Sequence, residues 1–380
     1  MSGAASAINI MDLRSAAEAR LPRMILDYID GGADDELSLR WNRERLRAHR
    51  LVWDALVDVG TLSARTRILG AEAALPLILA PTAASRLFHP EQGELAVARA
   101  AATMGVPYAV STLASTTVEA IAKANPGPKF FQIYVWRDRG LVVEVMARAK
   151  QAGFTAAILT VDLPVTGNRE RDPRNRFTIP PKLNGTVLRQ MLERPGFLWR
   201  MTTTRPIKPE NVPFKGQVGS LTDFVARQFD PTMTWRDAEW MVREWGGPFA
   251  VKGIATPEDA RRAIAIGASA VWVSNHGGRQ LDTAPATIDT LSGIADAVRG
   301  EAEIVIDGGF TRGADIAKAL CLGANAVAIG KAYLYGLAAG GEAGVLRALA
   351  ILAEEFKRTL ALMGAPDIRA LSPRFVLPPV

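Results

Sequence analysis

The sequence predicts an α/β protein of the (β/α)8 TIM-barrel class, with a helical N-terminal extension and a long insertion after the fourth strand. Three observations predict it. Eight short apolar runs recur along the chain, helical patterns lie between them, and the runs end in small or polar residues. The runs are LPLILAPTA (75–83), YAVST (108–112), FFQIYV (130–135), AAILTVD (156–162), FAVKG (249–253), AVWVSNHGG (270–278), EIVIDGG (303–309) and AVAIG (326–330). They are continuous rather than alternating, as expected of strands buried on both faces of a parallel sheet.

The elements follow in order. Residues 1–74 read as the helical extension. GELAVARAAATMG, TTVEAIAKA, LVVEVMARAKQAG, TPEDARRAIAIG, TIDTLSGIADAV and GADIAKALCLG carry apolar residues at three- and four-residue spacing. Several close on glycine, a common helix stop. Thr256-Pro257-Glu258 reads as a cap, a first-turn proline and an acidic first turn. AGVLRALAILAEEFKRTLALMG is the last helix, after strand eight. Residues 163–235 lie outside the repeat, and an insertion of that length in a compact domain usually carries function or moves. The barrel takes residues 75–364 and a tail 365–380, so the chain, 1–380, reads as one domain. An open doubly wound sheet is the rival. Eight units with no second domain's worth of sequence left over favour the closed barrel.

Composition narrows the setting. At 380 residues and 48% hydrophobic, the chain can fill a barrel-sized core. No stretch approaches the roughly 18 consecutive apolar residues of a membrane span. The N-terminus lacks the basic start and apolar run of a secretory signal. Cys321 is the single cysteine, in the apolar run KALCLGA, so no internal disulfide forms and a reducing cytoplasm is expected. The net charge of +6 is uneven: between Val165 and Gly216, eleven Lys or Arg face four acids. That suggests an anionic partner for the segment rather than for the whole chain, and nucleic acid is not expected. Scattered histidines and one cysteine give no metal cluster. No GxGxxG follows a first strand, so a dinucleotide fingerprint is missing.

Barrels place their active sites at the C-terminal strand ends. Those ends here carry Thr82, Ser111, Gln132, Tyr134, Thr160, Asp162, Lys252, Ser274-Asn275-His276, Asp307 and Gly330-Lys331. A purely structural barrel has no need of polar groups at nearly every strand end. His276 sits in SNHGGRQLD, where an imidazole suits proton abstraction and Arg279 suits bidentate carboxylate binding. His49 and His89 lack such company and read as structural. Asp162 could orient the imidazole, or serve as a cap or ion-pair partner. Lys252 could form a Schiff base or place charge beside a cofactor. DGG at 307–309 and IGK at 329–331 end strands seven and eight, the usual phosphate site of a barrel, with Lys331 or Arg312 to neutralise the anion.

These stretches resemble the FMN-dependent L-2-hydroxy acid oxidases and dehydrogenases. The resemblance runs through LPRMILDYIDGGADDE, LILAPTA, FFQIYV, LTVDLP with NRERDPRNRF, VKGI, VSNHGGRQLD, DGGFTRGADI and AIGKAYLYGLA, in the family's order. NRERDPRNRFTIPP and the basic insertion look closest to the mandelate and L-lactate dehydrogenase branch. The resemblance implies FMN as cofactor and His276 as base, paired with Asp162. It places Arg279, Arg169 and Tyr28 on the substrate carboxylate and Tyr134 on the substrate hydroxyl. The flavin would rest on Pro81, Thr82 and Ala83, with Ser111, Gln132, Tyr134, Thr160 and Ser274 around it. Lys252 would face the reduced, anionic side of the ring, which favours charge over a Schiff base. Asp307 would bind the ribityl chain. Gly308, Gly309, Phe310, Thr311, Arg312, Gly330 and Lys331 would form the phosphate end. A homotetramer is the implied assembly.

The chain departs from the family pattern in three places. Thr311 stands where an arginine is usual, with Arg312 next, and Lys331 replaces a second arginine. Weaker FMN binding, or entry of Arg312, is the expectation. Leu113 replaces a tryptophan of glycolate oxidases, which argues for a larger substituent than glycolate's hydrogen. The expected reaction is oxidation of a small (S)-2-hydroxy acid, mandelate- or lactate-like, to the 2-oxo acid. The expected electron acceptor is a quinone or another acceptor, and the alternative is an oxidase that uses O2 and releases peroxide. Remoter readings are a flavin isomerase, a Schiff-base lyase barrel and a non-catalytic anion-binding protein. Residues 183–201, LNGTVLRQMLERPGFLWRM, mix large apolar residues with arginines. They could rest on the inner face of the cell membrane and meet quinone, or form a lid, and Pro195 interrupts any long helix there.

Overall fold

The computed structural model describes residues 3–134, 136–179, 181, 184–212 and 228–379. Val135, at the end of the third predicted strand, lies outside them, as do residues 180, 182, 183 and 213–227 of the predicted insertion. The chain opens with three helices, α1 (Ile10–Glu18), α2 (Arg23–Asp30) and α3 (Leu37–Ala48). The extension is helical only that far, which corrects the expectation for residues 1–74. Next come β1 (Arg50–Leu51) and a hairpin of β2 (Thr66–Ile68) and β3 (Ala71–Ala73). Leu69 and Gly70 both take left-handed backbone, φ 47° and 77°, the two-residue turn that matches strand twist. That short Leu-Gly signal is hard to see between longer helical patterns.

Eight parallel strands then close a barrel: β4 (Leu77–Leu79), β5 (Tyr108–Ser111), β6 (Lys129–Ile133), β7 (Ala156–Thr160), β8 (Phe249–Ile254), β9 (Ala270–Val273), β10 (Glu303–Ile306) and β11 (Ala326–Ile329). β11 returns to pair with β4. Each strand overlaps one predicted run, and seven of the eight are shorter than their runs, because the polar run-ends turn out into loops; β8 instead runs one residue further, to Ile254. Alternate residues face two different cores. Ile78, Ala109, Phe130, Ile158, Ala250, Trp272 and Val305 fill the barrel interior, with Ile68 and Leu69 of the hairpin packed into the same cluster. Leu79, Val110, Phe131, Leu159, Val251 and Val273 face the helices. Both faces are dry, which is why the runs are unbroken.

The helices between strands are α4 (Gly93–Met104), α5 (Val118–Ala124) and α6 (Arg139–Gln151). The insertion contributes α7 (Arg171–Arg174), α8 (Gly185–Leu192) and α9 (Pro195–Thr203). Pro195 starts α9 rather than sitting inside a longer helix, because proline fits the first turn. Then follow α10 (Trp235–Trp245), α11 (Pro257–Ala265), α12 (Thr287–Val298), α13 (Gly313–Cys321) and α14 (Lys331–Met363). The last begins directly after β11, earlier than the sequence pattern suggests, and kinks at Gly340-Gly341. Among the described residues, α14 is the one helix long and apolar enough to cross a membrane, but 61% of its apolar window is buried against its own chain. A final strand, β12 (Val376–Leu377), pairs antiparallel with β1 and ties the tail to the extension.

Phe130 is fully buried in the barrel interior, and its strand partners at that level are Ala109 and Ala156. Such small neighbours cannot fill the gap a missing ring leaves. Phe130→Ala should cost about 3–5 kcal/mol. Urea unfolding checks this, and a loss under about 1 kcal/mol would contradict the interior packing described.

Candidate functional site

A cavity of about 720 Å3 opens at the C-terminal ends of the strands. Its base is a buried charge cluster. Lys252 Nζ donates to Ser274 Oγ at 2.9 Å and stands 3.4 Å from Asp307 Oδ2 and 3.9 Å from Asp162 Oδ2. Ser274 Oγ also donates to Asp307 Oδ1 at 2.8 Å, while Trp272 Nε1 donates to Asp307 Oδ2 at 3.0 Å. Burial pushes the Lys252 ammonium towards neutrality, but the two carboxylates outweigh it and raise its pKa. A lysine held protonated is no nucleophile, so the Schiff-base reading loses support.

His276 stands above this cluster. Its Nδ1 lies 2.9 Å from Asp162 Oδ1. With Asp162 ionised, that contact places the proton on Nδ1 and leaves Nε2 as the acceptor. Burial lowers the imidazole pKa most, Asp162 opposes it, Lys252 adds to it, and the net shift is down from 6.5. Burial pushes Asp162 up, but His276 and Lys252 pull it net below 3.8. His276 is therefore neutral and Asp162 charged near pH 7. The His276 backbone is left-handed at φ 57°, which costs a side-chain-bearing residue energy, and its N–H is anchored on Ser274 Oγ at 3.0 Å. One serine thus sets the lysine, the aspartate and the histidine together.

Two arginines converge from the other side. Arg279 Nη1 donates to the carbonyls of Tyr28 and Gly31, both at 2.8 Å, and its guanidinium lies 5.1 Å from the centroid of the Tyr28 ring. Burial, then Arg169, pulls its pKa down to about 10. Arg169 Nη2 donates to Gln280 Oε1 at 3.4 Å, and its Nε is buried with no partner among the described residues. Gln280 in turn donates to the carbonyls of Asp162 and Val165, clamping the start of the insertion to the His276 loop. The wall beside these arginines is apolar: Phe88, Leu113, Phe177, Ile179 and Phe229 are buried there. The Tyr134 ring lies 5.0 Å from Phe229, and burial holds its phenol well above the ordinary range.

Pro81, Thr82 and Ala83 line the cavity, as do Asp307, Gly308, Gly309, Phe310, Thr311, Gly330 and Lys331. The Thr82 hydroxyl is engaged with Tyr333 at 2.7 Å. Ser111, Gln132, Thr160 and Ser274 are buried at their strand ends behind the cavity surface. Arg312 does not line this cavity. Its guanidinium pairs with Glu355, and it lines a separate surface groove. Lys331 Nζ donates to the carbonyls of Asp30 and Gly31 at 2.7 and 3.3 Å. Burial first, then Arg279 and Arg43, drive its pKa well below 10.5.

The chain matches the family described as FMN-dependent dehydrogenase over residues 17–378. It belongs to that family. It is 41% identical over 380 residues to the L-lactate oxidase of a Nostoc species, covering 99% of this chain and 100% of that protein. It is 39% identical over 371 residues to glycolate oxidase 1 of Zea mays, covering 97% and 95%. The fold is similar to a crystal structure of the monotopic membrane protein (S)-mandelate dehydrogenase, with TM-score 0.93, 37% identity and coverage of 98% and 100%.

The cavity fits FMN on its own terms. Both amide atoms of Gln132 and the Thr160 hydroxyl are buried without partners among the described residues. Polar atoms so placed call for a polar ligand edge. Gly308 and Gly309 leave an open, backbone-lined end, with φ at 113° and 85°. Among the described residues no His, Cys, Asp or Glu group could hold a metal ion. Sequence reasoning missed Arg43, Gln280 and the three phenylalanines. Arg43 stands on the extension and Phe177 and Phe229 on the insertion, far in sequence from the strand ends they serve, while Phe88 and Gln280 follow β4 and β9 without a residue pattern that marks them.

Lys252→Met would leave Asp162 and Asp307 buried without their shared counter-charge. Breaking a buried charge pair costs about 3–5 kcal/mol. The flavin-free variant should melt clearly below the wild type. An unchanged midpoint would show that the cluster is not held by charge.

Proposed function

We propose that this enzyme oxidises an (S)-2-hydroxy acid, mandelate- or lactate-like, to the 2-oxo acid. One observation carries the reading: Arg169 and Arg279 converge with neutral His276 on a single cavity backed by phenylalanines. Two guanidiniums suit a carboxylate. The apolar wall suits a substituent such as the phenyl or methyl group of mandelate or lactate. The names of the similar proteins, lactate oxidase and (S)-mandelate dehydrogenase, agree with that class.

Roles follow from the geometry. The carboxylate would sit between Arg169 and Arg279, beside Tyr28. Tyr134, kept neutral by burial, would hydrogen-bond the substrate hydroxyl rather than act as a base. His276 Nε2 would take a substrate proton, and Asp162 would stabilise the resulting imidazolium. Bound FMN accepts the two electrons released. Pro81, Thr82 and Ala83 would support the flavin, with Ser111, Gln132, Thr160 and Ser274 contacting it. Lys252 would face its electron-rich edge, Asp307 the ribityl chain, and Gly308 to Thr311 with Gly330 the phosphate.

The insertion supports a membrane-side acceptor. In α8, Val187, Gln190 and Met191 are buried, and Gln190 accepts from the Met24 N–H at 2.7 Å. Leu188 and Leu192, one turn apart, face outward at 46% and 60% exposure, as does Trp199 of α9 at 70%. Arg189, Arg194 and Arg200 lie among them. Such a face suits an anionic lipid surface, where a quinone would reoxidise the flavin. The monotopic membrane protein of similar fold agrees with this. Oxygen is the alternative acceptor, and the lactate oxidase relative favours it.

His276→Gln should slow anaerobic flavin reduction by (S)-mandelate or (S)-lactate about 10²- to 10⁴-fold. Reduction at the wild-type rate would remove His276 from the reaction. Because His276 must be neutral, kcat/KM should rise with pH through an apparent pKa below 6.5 and then level off. Asp162→Asn removes the charge that holds the imidazole up, so this limb should move to lower pH as the rate falls. A limb that stays put would assign it elsewhere. The protein should float with anionic liposomes at low salt, and Leu192→Glu with Trp199→Glu should abolish this. Absence of co-flotation by the wild type would sink the membrane reading. Admitting air or a soluble quinone to the reduced enzyme then separates the acceptors.

A further inference from the structure

We propose that Arg43 supplies the cation that neutralises the FMN phosphate in this chain. This rests on the phosphate lying at the Gly308-Gly309 end of the cavity. The two positions expected to carry arginines there do not serve it. Position 311 is threonine, and Arg312 is turned away to Glu355. Lys331 spends its ammonium on the carbonyls that end α2.

Arg43 comes from α3 and reaches this end of the cavity directly. It lines the same cavity as Gly309, Thr311 and Lys331. Its helix is pressed against the glycine loop: a side chain at Gly309 would lie 3.0 Å from the Asn42 carbonyl carbon. The Asn42–Arg43 peptide therefore abuts the loop whose backbone would cradle the phosphate. Asn42 is fixed from behind by a reciprocal amide pair with Asn275, at 2.9 Å each way. The position of Arg43 is thus set by the barrel and not by its own side chain. Its guanidinium is half-buried and has no hydrogen bond or ion pair among the described residues. Most other arginines around the cavity are engaged: Arg171 pairs with Asp27 and Glu36, and Arg279 with two carbonyls. A free guanidinium beside an open backbone cradle is the arrangement that receives a phosphate.

The test compares flavin affinities of the flavin-free protein by fluorescence quenching, with FMN and with riboflavin, which lacks the phosphate. Arg43→Gln should weaken FMN binding about 10- to 100-fold, the loss of one charge-assisted contact, and leave riboflavin unchanged. Arg312→Gln should change neither. Adding Thr311→Arg to Arg43→Gln should restore much of the FMN affinity. FMN affinity kept within about twofold in Arg43→Gln would overturn the proposal. So would an equal loss for riboflavin, which would make Arg43 a support for α3. Gly309→Ala tests the premise separately, since its methyl would crowd Asn42. If that variant binds FMN normally, the phosphate lies elsewhere and its placement fails.

Discussion

The contact on which the site depends is the one between Lys252 and its two carboxylates. Asp162 and Asp307 come from different strand ends, and both are buried. Burial pushes the Asp162 pKa up, and His276 and Lys252 pull it back below 3.8. The lysine ammonium lies between the two carboxylates. A charged Asp162 then fixes the His276 tautomer, and Asp307 accepts from Ser274, which anchors the His276 backbone. Remove the ammonium and the base loses its partner, its tautomer and its seat together. A barrel with short strands can bear this cluster because its interior below is packed with small and aromatic side chains that exclude water.

Much of this was legible in the sequence, and the reason is geometric. In a closed parallel barrel every strand end points to one mouth, so His276, Asp162, Lys252 and Asp307 had to converge once the eight runs were placed. Their spacing along the chain hardly mattered. What stayed hidden is what the barrel repeat does not govern. The hairpin of β2 and β3 has no helical or long apolar pattern, and it was read as part of a helical extension. Arg43 lay in a helix full of arginines, SLRWNRERLRAHR, where nothing marks one as inward-facing. Arg312 looked available because Glu355, its partner, stands 43 residues away on α14. Gln280 was quoted only as part of a motif, because its work is done by contacts to carbonyls that have no sequence signature.

The N-terminal extension is more than a collar. The carbonyls at the end of α2 carry the negative end of the helix dipole, and they attract cations. Lys331 and Arg279 both donate there, and Asp282 receives the first N–H groups of α3. The extension is therefore held in place by the site's own charged residues. In return it lends Tyr28 and Arg43 to the cavity, two groups that no barrel strand supplies.

This exchange also decides how Arg279 can act. A guanidinium has five N–H donors in a flat fork. The Nη1 edge is occupied by the Tyr28 and Gly31 carbonyls, and the guanidinium is packed beside the Tyr28 ring. What remains is the Nη2 and Nε side, the pair that meets a carboxylate with two parallel bonds. Arg169 lines the same cavity, and its Nε has no partner among the described residues. Because Nη1 is held, the fork is aimed before any ligand arrives, and little side-chain entropy is left to lose on binding. Arg279 is thus aimed by carbonyls at the end of α2, while His276 is fixed by groups anchored in the barrel. The angle between them is set by how α2 docks on the barrel; on the proposed roles, it would decide which face of a substrate meets His276. Changes in the α2 contacts should for that reason alter turnover and selectivity even where they touch neither the substrate nor the base.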